Sequence, residues 1–429
     1  MAVYLICYLA SYLLARGEHY SLSGVALMAA AFWLYFKDYR SSGTLIHLRG
    51  LFSLFWVGGQ GIACLKLSNL QTDWSWMTWL CFALAYAGFW AVFEGLTRMY
   101  GTGHNRYGRW RSFTANSIPV FHMICAVTVV SLISFLFEAV RLGYVPLFVQ
   151  GVPHAYSEFH LTGIHYLTVS CVLVPSMTVL YFHTARGRGS DRQVITVFVM
   201  TVISLLIPIL CVSRFQFVFA VMLAALTYIS LQKSFNILYL LGLFVVLIPV
   251  YLLLTVARSH DAEYLNSIFE MKNEAMPLFV SQPYIYIANN YDNFDCMVEA
   301  LPAHSFGLKG LFPLWALTGL KFFFPQLINF PIYVTKKELT TLTMFYDAYY
   351  DFGWLGVLAF SCLLGLLAYL LVVKLREMHN PFGYLLYAQV AAYMILSFFT
   401  TWFSNTTTWF YLILTGLMAV YYSFNAHRR

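Results

Sequence analysis

The chain is a series of long apolar runs separated by short polar joints. A helix that crosses a bilayer core takes about 20 apolar residues. Twelve segments approach or reach that length: 1–15, 22–36, 48–66, 75–97, 117–139, 162–183, 194–212, 213–231, 236–256, 353–373, 383–402 and 405–424. The first two are short. Segments seven and eight abut, and CVSRFQ (211–216) between them predicts a tight turn. The opening run, MAVYLICYLASYLLA, has no basic start and no small-residue cleavage site, so it predicts a span rather than a signal peptide. The pattern predicts an all-α integral membrane protein of about 12 transmembrane helices, with residues 1–429 forming a single polytopic membrane domain.

The pattern fails once. Residues 257–352, between runs nine and ten, are mixed and polar, and they carry ten of the chain's 18 acidic residues. A structureless connection that long is uncommon in a compact protein, so this segment predicts a structured cap. Within it, GLKGLFPLWALTGLKFFFP (307–325) is apolar but broken by glycine and proline. That composition predicts an interfacial or re-entrant helix rather than another span.

Composition supports the membrane reading. The chain is 60% hydrophobic and 10% charged, where soluble domains carry about 25% charged residues. With the N-terminus in the cytoplasm, the inner joints collect Lys37, Arg40, Arg49, Arg98, the YGRWR cluster (107–111), Arg186, Arg188, Arg192 and the terminal arginines. The short outer joints hold only Arg16, Lys66, Arg141 and Arg214. This bias predicts both termini in the cytoplasm and the 257–352 segment outside it. It also accounts for the net charge of +7 without a nucleic-acid partner. The eight cysteines form no CxxC and no metal-type spacing, so neither a disulfide framework nor a zinc site is predicted.

On this topology, scattered residues converge on the outer face. Arg214 lies at the turn between spans seven and eight, while Arg258, His260 and Asp261 follow span nine in TVARSHDAEY. Asp347 and Asp351, in FYDAYYDFGWLG, precede span ten. Guanidinium groups are always charged and bind phosphate bidentately, which suits Arg214 and Arg258 to a pyrophosphate. A carboxylate or imidazole takes a proton from a hydroxyl, so His260, Asp261 and Asp351 are alternative catalytic bases. Together these groups would make a glycosyl-transfer site. Plainer readings stand beside this one. Arginines at span ends snorkel, and Asp351, just before a helix starting near Gly353, is placed to cap it.

YIYIANNYDNFD (284–295) offers aromatic faces and amides for a carbohydrate. With Tyr346, Asp347 and Tyr350, its Asn290 and Tyr291 are candidate glycan-binding residues. The same aromatics suit an interface belt. HAYSEFHLTGIH (154–165) matches no standard metal motif, and the aspartates of DNFD read as solvated. Glu138 ends span five on the outer side, and Glu94 precedes Arg98 by one helical turn. No metal and no cofactor is predicted.

TLTMFYDAYYDFGWLGVLAFSCLLGLLAYLL (341–371) resembles the late signature of the oligosaccharide repeat-unit polymerases, which build O-antigen and capsule. Members show a threonine-containing stretch, an aromatic–aspartate–Phe–Gly segment and a glycine-rich span. The Ser-Arg pair of CVSRFQ, ARSHDAEY and HSFGLKGLFPLW (304–315) are similar to further family elements, although CVSRFQ lacks the glycine that often follows the arginine. The resemblance covers most of residues 200–375. It implies a GT-C-like fold in the bacterial inner or plasma membrane. The implied reaction transfers a growing glycan from undecaprenyl pyrophosphate onto a new lipid-linked repeat unit, without a divalent metal. Implied partners are undecaprenyl-pyrophosphate-linked oligosaccharides, membrane lipids and a chain-length-regulating co-polymerase. A transporter or lipid-glycan flippase would show repeated halves and broken mid-membrane helices, and the chain shows no internal repeat. A ligase moving glycan onto lipid A core shares the chemistry and differs in acceptor. A purely structural partner of a synthase complex is the remaining alternative.

Overall fold

The computed structural model describes residues 1–101, 116–149, 155–185, 187, 189–232, 262–375 and 378–426. These residues are helical throughout, with one isolated bridge between Ser68 and Met271. Among them, six helices are long and apolar enough to cross a membrane: Trp76–Tyr100, Ser117–Leu142, Ile164–Ala185, Asp191–Leu210, Arg214–Leu231 and Tyr346–Lys374. Ala2–Arg16 and Phe382–Ile395 are shorter apolar helices. The protein is thus membrane-embedded and all-α. The apolar run at 48–66 is divided by a π turn at Ser53–Val57. The run at 22–36 belongs to a longer helix, Tyr20–Ser42. Run nine (236–256) and the YGRWR cluster lie outside the described residues.

Local chemistry sets the helix ends. Ser75 caps Trp76–Tyr100 by accepting from the Thr78 N–H, and Ser190 with Gln193 forms a capping box at Asp191–Leu210. The turn within CVSRFQ closes through the Ser213 N–H, which donates to the Pro208 carbonyl at 2.9 Å.

The chain divides into two compact units. The first takes in residues 1–108, 262–374 and 393–409; the second takes in 109–261, 375–392 and 410–429.

A helix that the apolar pattern does not reveal, Leu278–Ala300, runs through the first unit. Its Asn289, Asn290, Asp292, Asn293 and Asp295 are all buried. Buried polar groups persist only when paired, and these find partners far along the chain. Asp292 accepts from Lys66 Nζ at 2.6 Å and from Gln71 Nε2 and Trp74 Nε1, both at 2.7 Å. Asn293 donates to the Leu339 and Thr341 carbonyls, and Asp295 accepts from the Ser75 N–H. Tyr291, also on Leu278–Ala300, packs against Trp56, Trp74 and Phe82.

Elsewhere in this unit, small residues let helices approach closely. A Cβ on Gly365 would stand 2.5 Å from the Phe89 carbonyl oxygen. Arg49 joins three elements, bonding Asp38 Oδ1 at 2.5 Å and Glu94 Oε2 at 2.7 Å, while Arg98 pairs with Glu94 as the sequence spacing predicts. The 307–325 stretch forms a short helix, Phe312–Leu317, and two 3₁₀ turns, with Leu311, Leu314, Phe322 and Phe323 exposed.

In the second unit, Ser117–Leu142 carries Glu138 at its end, fully buried. Glu138 accepts from the Leu161 N–H at 2.9 Å and Thr168 Oγ1 at 2.7 Å and contacts His165 Nδ1 at 3.2 Å. This carboxylate fastens the HAYSEFHLTGIH segment to the helix that precedes it.

Candidate functional site

The site of interest is built on a helix break in the first unit. Tyr346–Leu375 departs from helical geometry at Phe352 (φ −137°) and Gly353 (φ 61°, ψ −147°). Only glycine adopts that second conformation readily. A Cβ there would also meet the His304 ring at 3.1 Å. The break separates the Tyr346–Asp351 turns from the apolar helix that follows.

Asp351 does not cap the helix that starts beside it, which corrects the capping reading. Its carboxylate reaches to residues 305–310, some forty positions earlier. Oδ1 accepts from Ser305 Oγ and from the Lys309 N–H at 3.2 Å, and Oδ2 accepts from the Gly310 N–H at 2.8 Å. The backbone adds two further bonds: the Ser305 N–H donates to Tyr350 O at 3.2 Å, and the Phe306 N–H to Asp351 O at 3.1 Å. A Cβ at position 310 would lie 2.5 Å from Asp351 Oδ2, so any larger residue would push the carboxylate out of these bonds. A carboxylate taking three donors orders a turn and has little capacity left for a further proton.

That turn delivers Lys309. Its ammonium lies 4.3 Å from the centre of the Tyr350 ring, a cation–π contact, and 3.8 Å from Asp347 Oδ1. Asp347 is 6% exposed, and its Oδ1 has no hydrogen-bond partner among the described residues. The hydroxyl side chains of Thr401 and Ser404 flank this carboxylate.

Burial pulls the Lys309 pKa below its usual 10.5, and Asp347 and Asp351 oppose that shift only in part. Between the lowered value and 10.5, the unfolded chain therefore binds more protons than the native protein, so stability from this group rises with pH. The melting temperature of the wild type relative to Lys309→Gln is expected to increase as the pH is raised toward 10.5. Parallel melting curves across that range would show that this ammonium is not desolvated.

The described residues thus bring together Tyr346, Asp347, Tyr350 and Asp351. Tyr346 is buried and bonds Tyr333 twice, accepting from its N–H at 2.8 Å and donating to its carbonyl at 3.0 Å. Tyr350 packs against Phe330 and Tyr333. Asn290 and Tyr291 lie in the same unit but inside it. Asn290 donates to the Phe398 carbonyl and accepts from Thr341 Oγ1, and Tyr291 donates to the Trp56 carbonyl. Their polar atoms are engaged within the fold rather than presented to a glycan. The DNFD aspartates are likewise buried rather than solvated. Arg214 belongs to the second unit, where it opens the Arg214–Leu231 helix and is 8% exposed. Arg258, His260 and Asp261 lie outside the described residues. Lys309 escaped the sequence reading, although its signal is visible: it is the one basic residue of HSFGLKGLFPLW, in a run otherwise almost apolar.

No protein-family model, curated protein or solved structure matches the chain.

Proposed function

We propose that the protein polymerises undecaprenyl-pyrophosphate-linked oligosaccharide repeat units into O-antigen, capsule or a related polysaccharide. It would be a GT-C-like enzyme of about twelve spans in the bacterial inner or plasma membrane, with residues 257–352 outside the cytoplasm. The observation that supports this most is the docking of two stretches that resemble the polymerase family separately. HSFGLKGLFPLW and FYDAYYDFGWLG lie 41 residues apart at the Gly310–Asp351 bond, yet they form one hydrogen-bonded cluster. A half-buried ammonium, a buried carboxylate and tyrosine faces meet there.

In this reading Arg214 and Arg258 hold pyrophosphates, and His260 and Asp261 remain candidate proton acceptors. A co-polymerase sets chain length. Asp351 positions the cluster, and Asn290 and Tyr291 support it from within. The test is deletion of the gene followed by analysis of surface glycan. Loss of polymer with single-repeat material retained is the expected result. Polymer accumulating on its lipid carrier would identify a ligase instead, and repeats trapped on the cytoplasmic side would identify a flippase.

A further inference from the structure

Lys309 Nζ and Asp347 Oδ1 face each other without closing to hydrogen-bond distance. At 3.8 Å their ion pair is too long for a good charge-assisted hydrogen bond. Asp347 Oδ1 is buried and accepts no hydrogen bond among the described residues. An acceptor atom left in that state is costly, and among the described residues the Thr401 and Ser404 hydroxyls act on this carboxylate without satisfying Oδ1. We infer that this pair binds the attacking hydroxyl of the acceptor sugar, and that Asp347, not Asp351, takes its proton. This inference rests on the polymerase reading.

The chemistry of the pair selects the ligand. A hydroxyl both donates and accepts, so one hydroxyl can donate to Asp347 Oδ1 while accepting from Lys309 Nζ. A phosphate would meet two carboxylates, Asp347 and Asp351, for one ammonium. A carbonyl would leave Asp347 without a donor. Beside the pair, Lys309 lies over Tyr350, and Phe330 and Tyr333 pack on that tyrosine. Tyr350 itself is 4% exposed, so the apolar surface for the C–H face of a sugar ring is that of the half-buried Phe330 and Tyr333. Asp351 is the less available base, because Ser305 Oγ and two backbone N–H groups already take three of its roughly four acceptor sites.

The step balances without a co-reactant. The acceptor O–H bond breaks and its proton passes to Asp347. The hydroxyl oxygen forms a bond to the anomeric carbon of the growing glycan. The bond from that carbon to the lipid pyrophosphate breaks, and the pyrophosphate leaves with the electron pair. Asp347 then returns its proton to the leaving group or to water. Lys309 stabilises the negative charge that builds on the oxygen.

The test uses the full-length protein in lipid discs, supplied with lipid-linked repeat units extracted from the deletion strain. Asp347→Asn is expected to lower the elongation rate about 100-fold or more, the usual range for a positioned base. The acid side of the wild-type rate profile should disappear with it. Formate added to Asp347→Ala should restore part of the rate. Lys309→Gln should raise the acceptor KM about tenfold, as expected for a lost hydrogen bond to a charged group, and Lys309→Arg should recover most of it. Lys321→Gln, at a half-buried site outside the cluster, is the control. Asp347→Asn elongating within tenfold of wild type would overturn the inference, as would a pair bridged only by water. Should Asp347→Asn fail to fold, an unchanged KM in Lys309→Gln overturns it equally. If the wild type itself does not elongate these lipids, the polymerase reading falls first.

Discussion

Asp292→Ala should destabilise the protein by about 3–5 kcal/mol, the range for breaking a buried ion pair from one side. Lys66 and Asp292 are 5% and 2% exposed, so removing the carboxylate leaves a desolvated ammonium behind. The same substitution strips the acceptor from Gln71 and from the Trp74 indole. Asp292→Asn keeps an oxygen for one of these donors and should fall between the two. Lys66→Met combined with Asp292→Asn removes the stranded charge and should recover roughly half of the loss by the same reasoning. Unfolding in mixed micelles measures the series. Asp292→Ala within 1 kcal/mol of wild type would mean that this pair does not hold the Leu278–Ala300 helix in place, since a few tenths to 1 kcal/mol is what an exposed pair gives.

Asp351→Ala is the second large effect. It leaves two backbone N–H groups and the Ser305 hydroxyl without their acceptor. An unsatisfied buried donor costs about 1–3 kcal/mol, so the Ser305–Gly310 turn should detach locally. Trypsin reads this directly, because Lys309 sits in that turn. Cleavage after Lys309 should be slow in the wild type and fast in Asp351→Ala, with Asp351→Asn intermediate. Asp347→Asn should leave Lys309 protected. Both aspartate variants should lose polymer, and the protease separates their reasons. Asp351→Asn losing polymer with Lys309 still protected would give Asp351 a chemical role of its own.

These two carboxylates show which parts of the structure the sequence made legible. The apolar runs mark most of the long helices, because span length is a local property. The turn at CVSRFQ and the helix start near Gly353 were legible for the same reason. Leu278–Ala300 was not, because its burial depends on partners distant in sequence: Lys66 lies 226 residues from Asp292. Without that lysine, ANNYDNFD reads as a solvated or glycan-facing loop. The role of Asp351 was hidden in the same way. Its position before a helix suggested a cap, but the break at Phe352–Gly353 turns its carboxylate toward Ser305 and Gly310. Lys309 was visible as a charge in an apolar run, but its pairing with Asp347 is a property of that docking.

The bonds from Asp351 to Lys309 and Gly310 close residues 311–345 into a loop tied at its base. Lengthening a loop closed in this way costs only about 0.6 kcal/mol per doubling. Tyr333, Thr335 and Thr341 pin the second half of that loop to Tyr346 and to the Leu278–Ala300 helix, so insertions that leave Lys309 and Asp347 in place are tolerated in its first half, around the exposed Phe322–Phe324. On the polymerase proposal, the sugar that is read could change through that exposed half of the loop alone, while Lys309 and the aspartates at its base stay fixed.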